Sequence, residues 1–342
     1  MEEPLVSVIT PLYNREDLVA VTIESVLKQT YPHWEHIIVD DGSTDNSTRV
    51  VQSIAASDSR IKLLVRHRKP KGAPTCRNIG IENASGKYII FLDSDDLLQP
   101  TCLENRVQQI EKYILDFMVF QGKTASENES YNDRLINIFT EKNDLARFIK
   151  QDLPWLIHGV IWKKKSLLKN ELFWDESLPS AQDFKFHISA ILRNMKYKKV
   201  KETDHIWNLH KGDRIGKNFS ANNHLVHHIL LHLWLRNQVI ATILFQSVKK
   251  DLSVSIFQLM KRCMEIRKWR ATYYLWSILK RDFEVDFFTL TLLRGLILIS
   301  RCVPIDSNPL IRKTFVFLMG RSFYYKDQGT FLKFHCRHED NY

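Results

Sequence analysis

Three carboxylates, Asp93, Asp95 and Asp96, follow directly on the apolar run Tyr88-Ile89-Ile90-Phe91-Leu92. Such a run reads as a strand buried on both faces of a parallel sheet, and strands of that kind deliver functional groups at their C-terminal ends. The three negative charges repel one another unless something positive lies among them. A hard divalent cation, Mg²⁺ or Mn²⁺, would supply that charge, held by one or two carboxylates together with the phosphate oxygens of a substrate. The competing reading is an acidic helix start, in which Asp95 or Asp96 caps a segment beginning near Gln99-Pro100. On this stretch alone both stand.

The elements that must position these residues come earlier in the chain. Leu5 to Pro11 is a short β-branched strand, Trp34 to Val39 a second and Ile61 to Val65 a third. Helical spacing of apolar residues predicts helices over 16–29, through Val50, Val51 and Ile54 with Asp45 or Ser47 as cap, and over 75–84. This β-α-β-α-β alternation argues for an open α/β sheet with ligands at the C-terminal ends of its strands. A second acidic pair, Asp40-Asp41, falls at one such end, and the basic run Arg66 to Gly72 follows another, with Arg77 and Asn78 beyond it. Acid, base and glycine at one rim suit a nucleoside diphosphate. No G-x-G-x-x-G follows the first strand and no G-x-x-x-x-G-K-[ST] occurs, so dinucleotide and P-loop readings lack support.

Later segments are less regular. Phe117 to Phe120 and Gly159 to Trp162 read as strands, Ser126 to Ser130 as a surface loop, and Phe184 to Leu192 as a helix entered through Asp183. From His224 onward the pattern is mainly helical. With 342 residues, 26% charged and 44% hydrophobic, the chain is a folded protein with room for two parts. Five scattered cysteines without a Cys-x-x-Cys pair argue against a disulfide framework and for a reducing compartment. The acidic start Met1-Glu2-Glu3-Pro4 leads straight into a strand, so no signal peptide and a cytoplasmic location are expected.

The quoted motifs resemble glycosyltransferase family 2, an inverting family with the GT-A fold. The matching stretches are VSVITPLYN (Val6 to Asn14), VDDGSTD (Val39 to Asp45), RNIGIENASGKYIIFLDSDD (Arg77 to Asp96) with Leu98 and Pro100, and FWDESLPSAQDFKFHISA (Phe173 to Ala190). The resemblance covers residues 5–215 and leaves out the helical C-terminal part. It implies a Rossmann-like, mixed and mostly parallel open sheet with flanking helices in a domain over residues 1–220; the residue pattern, not the resemblance, makes 221–342 a mainly α-helical region. Residue by residue, it implies that Pro11 and Tyr13 line a uracil pocket and that Asp41 recognises the base. Asp93, Ser94 and Asp95 form the D-x-D motif, with Asp93 toward the ribose and Asp95 on Mn²⁺ or Mg²⁺. Arg77 lies near the nucleotide. Asp183 takes the place of the catalytic base, while Gln182 stands where the family usually has Glu. His210 matches a histidine that completes the metal site, with a plain loop histidine as the alternative.

The chemistry agrees with that set of roles: inversion at an anomeric carbon needs a carboxylate to take the acceptor's proton and a cation facing the departing diphosphate. A helix cap is the other reading of Asp183. The expected activity is hexosyl transfer from a nucleoside diphosphate sugar, read as a UDP-sugar. Its acceptor is a hydroxyl of a growing cell-surface glycan, such as lipopolysaccharide or capsule, or of a lipid-linked oligosaccharide. A nucleotidyltransferase of similar fold and a silent glycan- or partner-binding module are the alternatives.

Other groups have blander readings. His224, His228 and His232 fall four apart, which suits a metal but equally a solvated or interface face. Trp155, Trp162 and Trp174 suit sugar stacking or, preferably, core. Residues 225–342 hold 18 Lys and Arg against 9 Asp and Glu, so they carry nine of the chain's ten net positive charges. Basic residues here alternate with Trp269, Tyr273, Tyr274, Trp276, Phe287 and Phe288. That mixture suits peripheral attachment to an anionic bilayer at the inner face of the cytoplasmic membrane, or a plain helical bundle with solvated charges. No nucleic-acid motif accompanies it, and nucleic acid is not an expected partner. The most apolar stretch, Phe287 to Ser300, is too short to span and carries Arg294.

Overall fold

A computed structural model describes residues 3–126, 132–140, 143–150, 155–209, 221–283, 285, 287–301 and 314, without the side chains of 221–224, 287 and 288. The chain divides into two compact units, Met1–Glu141 with Leu153–Gly212 and Lys142–Asp152 with Asp213–Tyr342. The second unit thus draws in a short segment from the middle of the chain.

The first unit is built on strands β1 (Val6–Leu12), β2 (Trp34–Asp40), β3 (Ile61–Val65), β4 (Tyr88–Phe91), β5 (Leu97–Leu98), β6 (Phe117–Ser126), β7 (Leu135–Ile136), β8 (Val160–Lys163) and β9 (Tyr197–Leu209). Its helices are α1 (Val19–Leu27), α2 (Ser47–Ala55), α3 (Ala73–Asn83), α4 (Cys102–Glu111), α6 (Lys164–Lys169) and α7 (Gln182–Leu192). α5 (Asp144–Ile149) belongs to the second unit. The strands form one open sheet in the order β3-β2-β1-β4-β8-β6-β9-β5, with β7 added on β6. The sheet is mixed, as expected: β3, β2, β1 and β4 run parallel, as do β6 and β9, while β4–β8, β8–β6, β9–β5 and β6–β7 are antiparallel.

β1, β2 and β4 are buried along their whole length, the polar Ser7, Thr10, Glu35 and His36 included, which is why none of them alternates between an apolar and a solvated face. Two glycines are needed by geometry. A Cβ on Gly80 would lie 2.3 Å from Cγ2 of Ile9, so α3 packs against β1 only because that position is bare. Gly72 has φ +144°, a conformation L side chains avoid, and it turns the basic loop into α3. On the far side of the sheet, Arg106 of α4 donates from Nε and Nη2 to both oxygens of Asp204 on β9, each at 2.7 Å. Both side chains are fully buried, and the arginine holds Asp204 below the usual carboxylate range against the cost of burial.

Of the second unit the structure describes α5 and four further helices, α8 (Ala221–Val239), α9 (Leu244–Glu265), α10 (Trp269–Asp282) and α11 (Phe287–Ser300). α9 contributes Val248, Leu252, Ile256, Phe257 and Met260 to a buried seam with Leu275, Ile278 and Leu279 of α10. Arg236 of α8 pairs with Asp282 at 2.6 Å, and Ser255 Oγ donates to the Ile149 carbonyl at 2.6 Å. His232, expected on an exposed or interface face, is buried, its Nε2 3.2 Å from the Ile149 carbonyl and its Nδ1 2.7 Å from that of His228. Burial lowers its pKa, and among the described residues no cluster suits a metal ion. No helix among them is long and apolar enough to cross a membrane.

Candidate active site

The C-terminal ends of β1, β2, β3 and β4 converge because the strands are parallel and in register, Leu12 beside Asp40 and Asp40 beside Val65. The loop after β1 is fastened to the loop after β2. Asn14 and Arg15 donate from their backbone amides to Ser43 Oγ at 3.1 Å and Ser47 Oγ at 2.7 Å, and Glu16 N donates to Asp45 at 3.1 Å. Asp45 therefore organises the entry to α2, whose N-cap residue, Asn46, makes no side-chain cap.

Asp40 and Asp41 part company at this rim. Asp40 turns back and accepts from the amides of Gly42 and Ser43 at 3.0 and 3.2 Å. Asp41 instead accepts on Oδ1 from Arg66 Nε at 2.6 Å and from Gly72 N at 3.1 Å. Pro11 is buried and Tyr13 exposed, and Lys71 Nζ lies 3.4 Å from the centroid of the Tyr13 ring. Pro11, Tyr13 and Asp41 are thus brought to one edge of the rim with the basic loop across it. The sequence reading missed Arg66 as the partner of Asp41, although its position immediately after β3 fixes it beside the end of β2.

Past β4 the chain turns, the Asp96 amide donating to the Asp93 carbonyl at 3.1 Å, and this turn leaves Ser94 and Asp96 buried and Asp93 and Asp95 partly exposed, on the outward side. Asp96 is buried, with Oδ1 accepting from Asn208 N at 3.0 Å and Oδ2 3.1 Å from His158 Nδ1. Burial raises its pKa, and its charge raises that of His158 in turn. The helix-cap reading of the acidic triplet is overturned. α4 starts at Cys102 behind β5, and its N-cap Thr101 makes no side-chain cap. Asp95 lies 3.4 Å from Arg15 Nε, with about a fifth of its side chain exposed. Asp93 accepts from Arg77 Nη2 at 2.7 Å.

Arg77 joins this motif to α7. It is buried; Nη1 donates to Gln182 Oε1 at 3.0 Å, and its guanidinium lies 4.4 Å from the centroid of Trp174. Trp174 stacks on Phe186 at 4.1 Å with 5° between the rings. Trp155, Trp162 and Trp174 are all core, at 0%, 0% and 2% exposure, so none is a sugar platform. Asp183 occupies the first turn of α7, but the N-cap is Ala181, at φ 57°, and no side chain caps the helix. Its second reading, a cap, therefore fails. Burial pushes the Asp183 carboxyl up to about 6, with Arg77 pulling it down, Asp93 pushing it up, His158 pulling down and Asp96 pushing up. Asp183 and the acidic motif therefore share one electrostatic field. With its pKa near 6 the acid is mostly ionised at neutral pH, and beside a cation it is poised to take a proton. His210 lies outside the described residues.

Two outward carboxylates, with no cluster of three ligands among the described residues, do not make a protein cage for a metal. They do fit Mg²⁺ or Mn²⁺ that arrives with a diphosphate, since such ions take one or two carboxylates and complete their shell with phosphate and water.

Comparison with known proteins places this rim in context. A family model described as glycosyl transferase family 2 matches residues 7–176. An Escherichia coli UDP-Glc:alpha-D-GlcNAc-diphosphoundecaprenol beta-1,3-glucosyltransferase, WfgD, is 45% identical over 128 residues, which is 37% of this chain and 49% of the relative. The putative teichuronic acid biosynthesis glycosyltransferase TuaG of Bacillus subtilis is 45% identical over 106 residues, 31% of this chain and 42% of the relative. The chain thus spans less than half the length of either. Among solved structures, S. aureus TarS 1–349 in complex with UDP-GlcNAc superposes with TM-score 0.63 at 18% identity, covering 91% of each chain. The mannosyltransferase PcManGT from Pyrobaculum calidifontis, in complex with GDP-Man and Mn2+, superposes with TM-score 0.55 at 15% identity over 96% of this chain and 89% of that one. Both share the fold.

Proposed function

Because the chain belongs to glycosyltransferase family 2 through residues 7–176, we propose that it transfers a hexose from a UDP-sugar, with inversion and with Mn²⁺ or Mg²⁺, to a hydroxyl of a growing bacterial glycan or its lipid-linked precursor. The observation that carries the reading is the pairing of the outward-facing Asp93 and Asp95 with a raised, α7-borne Asp183 across Arg77.

In this reading Tyr13 and Pro11 pack against the base, and Asp41, held through Oδ1 by Arg66 and Gly72, accepts the base N–H on its remaining oxygen. Asp93 accepts from the ribose hydroxyls, with Arg77 fixing its rotamer, and Ser94 holds the turn between the two outward acids. Asp95, with His210, holds the cation. When bound, that cation supplies positive charge against the departing diphosphate. Asp183 takes the acceptor's proton on the face opposite the leaving group, which is what inversion demands. The nucleotidyltransferase and silent-module alternatives gain nothing from the relatives.

UDP release from a panel of nucleotide sugars is the deciding experiment. UDP-glucose or UDP-N-acetylglucosamine should release UDP in Mn²⁺ and not in EDTA. Release of GDP from GDP-mannose with no UDP-sugar turnover would overturn the donor assignment.

The catalytic domain is proposed to span residues 1–220, with 221–342 as an attachment region that brings the enzyme to the cytoplasmic membrane face. Support comes from the charge of that region and from Arg267, Lys268, Arg270, Lys280 and Arg281, which are exposed near the half-exposed Tyr274 on the same helix and its entry. Vesicles containing phosphatidylglycerol should bind the protein and phosphatidylcholine vesicles should not, with binding lost on reversing Arg267, Lys268 and Arg270 to Glu. Equal partition to both vesicle types would refute attachment by charge.

A further inference from the structure

Each acid of the segment after β4 faces a basic side chain from a different element. Asp93 meets Arg77 of α3 at 2.7 Å, Asp95 meets Arg15 of the loop after β1 at 3.4 Å, and Asp96 meets His158 of the turn before β8 at 3.1 Å. The third pair differs from the other two in its exposure. Asp93 and Asp95 keep 36% and 20% of their side chains open, whereas Asp96 keeps 4% and His158 only 2%. An incoming cation or phosphate can compete for the first two acids, and solvent screens them. Neither reaches Asp96.

The His158 ring has a firm backing. It meets the ring of His205 on β9 edge to face, with 4.6 Å between centroids and 75° between planes. His205 is held in turn, its Nδ1 2.8 Å from Oδ1 of Asp204, which Arg106 grips through both oxygens. The other oxygen of Asp96 accepts from the Asn208 amide on the same strand. Asp96 is therefore fixed at both oxygens by groups that β9 carries or supports.

We propose that His158 is a positioning residue: paired with Asp96 beneath the rim, it keeps the segment after β4 in the form that turns Asp95 outward, and so sets the affinity for the metal that arrives with a diphosphate. This rests on the reading of Asp95 as the acid that holds that metal. Asp95 adjoins Asp96, so what displaces one displaces the other. A buried carboxylate stripped of its partner is costly to keep inside. Without His158, Asp96 would be drawn toward water and would carry Asp95 out of place. Without the Asp96 charge as well, nothing is drawn out, and asparagine at 96 still accepts from the Asn208 amide. Loss of the imidazole is thus harmful only while the acid is present.

Calorimetry of UDP with and without Mn²⁺ tests this on His158→Phe, Asp96→Asn and the double variant. His158→Phe keeps a flat ring against His205 but offers Asp96 no partner. The Mn²⁺-dependent part of its UDP binding should weaken by roughly tenfold or more, the range in which groups behind a metal ligand act, while binding in EDTA stays at the wild-type level. Asp96→Asn should weaken that part by no more than about threefold, and the double variant should match Asp96→Asn rather than His158→Phe. In UDP release from UDP-N-acetylglucosamine, His158→Phe should need more Mn²⁺ yet approach the wild-type kcat at saturation. Should His158→Phe not fold, His158→Gln takes its place in the same cycle, with the same order of losses at a smaller size. A double variant as weak as the His158 variant, equal losses in Mn²⁺ and in EDTA, or unimpaired Mn²⁺-dependent binding without His158 each overturns the inference and leaves the metal reading standing. Metal-dependent UDP binding that survives in Asp95→Ala sinks the metal reading, and this inference with it.

Discussion

Asp183→Asn should lower kcat by about 10²–10⁴-fold, the range a positioned proton acceptor contributes, while UDP still binds in Mn²⁺ with an affinity within about twofold of wild type, because no base contact is lost. Asparagine is nearly isosteric and still accepts hydrogen bonds, but its amide oxygen does not take up a proton near neutral pH. The substitution is unusually clean here. The α7 N-terminus draws no side-chain cap from Asp183, so the helix start should survive and the melting temperature should be little changed. The pH dependence follows from the same group. Burial raises the Asp183 pKa to about 6, so the ionised, active form prevails above that pH. Wild-type kcat/KM should be flat above neutrality and fall about tenfold per unit well below pH 6. Unimpaired transfer by Asp183→Asn, or an acid limb that persists in its residual activity, would sink the assignment.

The second large effect is at the outward-facing acid. Asp95→Ala should reduce UDP binding in Mn²⁺ to the level seen in EDTA and lower turnover by at least about 10²–10³-fold, the scale on which single preorganised electrostatic contacts to developing charge act. Calorimetry of UDP with and without Mn²⁺ separates this from a general loss of the site: the metal-independent part of binding should be unchanged. Asp95 is partly exposed and its ion pair with Arg15 is long, 3.4 Å, so the protein gives up little stability when the carboxylate goes. Metal-dependent UDP binding that survives in Asp95→Ala would move the metal role to another residue.

Much of this arrangement was legible in sequence because the strands that carry it are buried on both faces. β4 announces itself as an apolar run and β1 and β2 as stretches rich in β-branched residues, and their ends place Asp40-Asp41 and the acidic triplet at one rim without any knowledge of side-chain packing. What was not legible depends on contacts between distant segments. The thirteen-residue strand β9 carries three lysines and is only partly buried, so it has no two-sided apolar signature; it is a strand because β6 pairs with it along most of its length. His158 lay in a stretch read as the start of a strand, and nothing local says that it meets Asp96. Likewise Arg15 looked like a loop residue, since its approach to Asp95 depends on the fastening of two loops. His232, whose spacing with His224 and His228 suits a metal or, preferably, a solvated or interface face, is buried because α8 turns it toward the Ile149 carbonyl. The departure at Gln182 was visible, while its consequence was not, because its partner Arg77 is 105 positions away.

The turn after β4, closed by the Asp96 amide on the Asp93 carbonyl at 3.1 Å, makes the acidic motif a matter of local shape rather than of composition. It leaves Asp93 and Asp95 partly exposed while Ser94 and Asp96 are buried, and the buried Asp96 is fastened to the amide of Asn208 at 3.0 Å. A four-residue turn closed by an i to i+3 hydrogen bond fixes the direction of each of its side chains. One residue inserted between Asp93 and Asp96 would keep every acid in the sequence and yet undo both fastenings. What distinguishes this site from a merely acidic loop is therefore that its last carboxylate anchors the turn from which the first and the third look out.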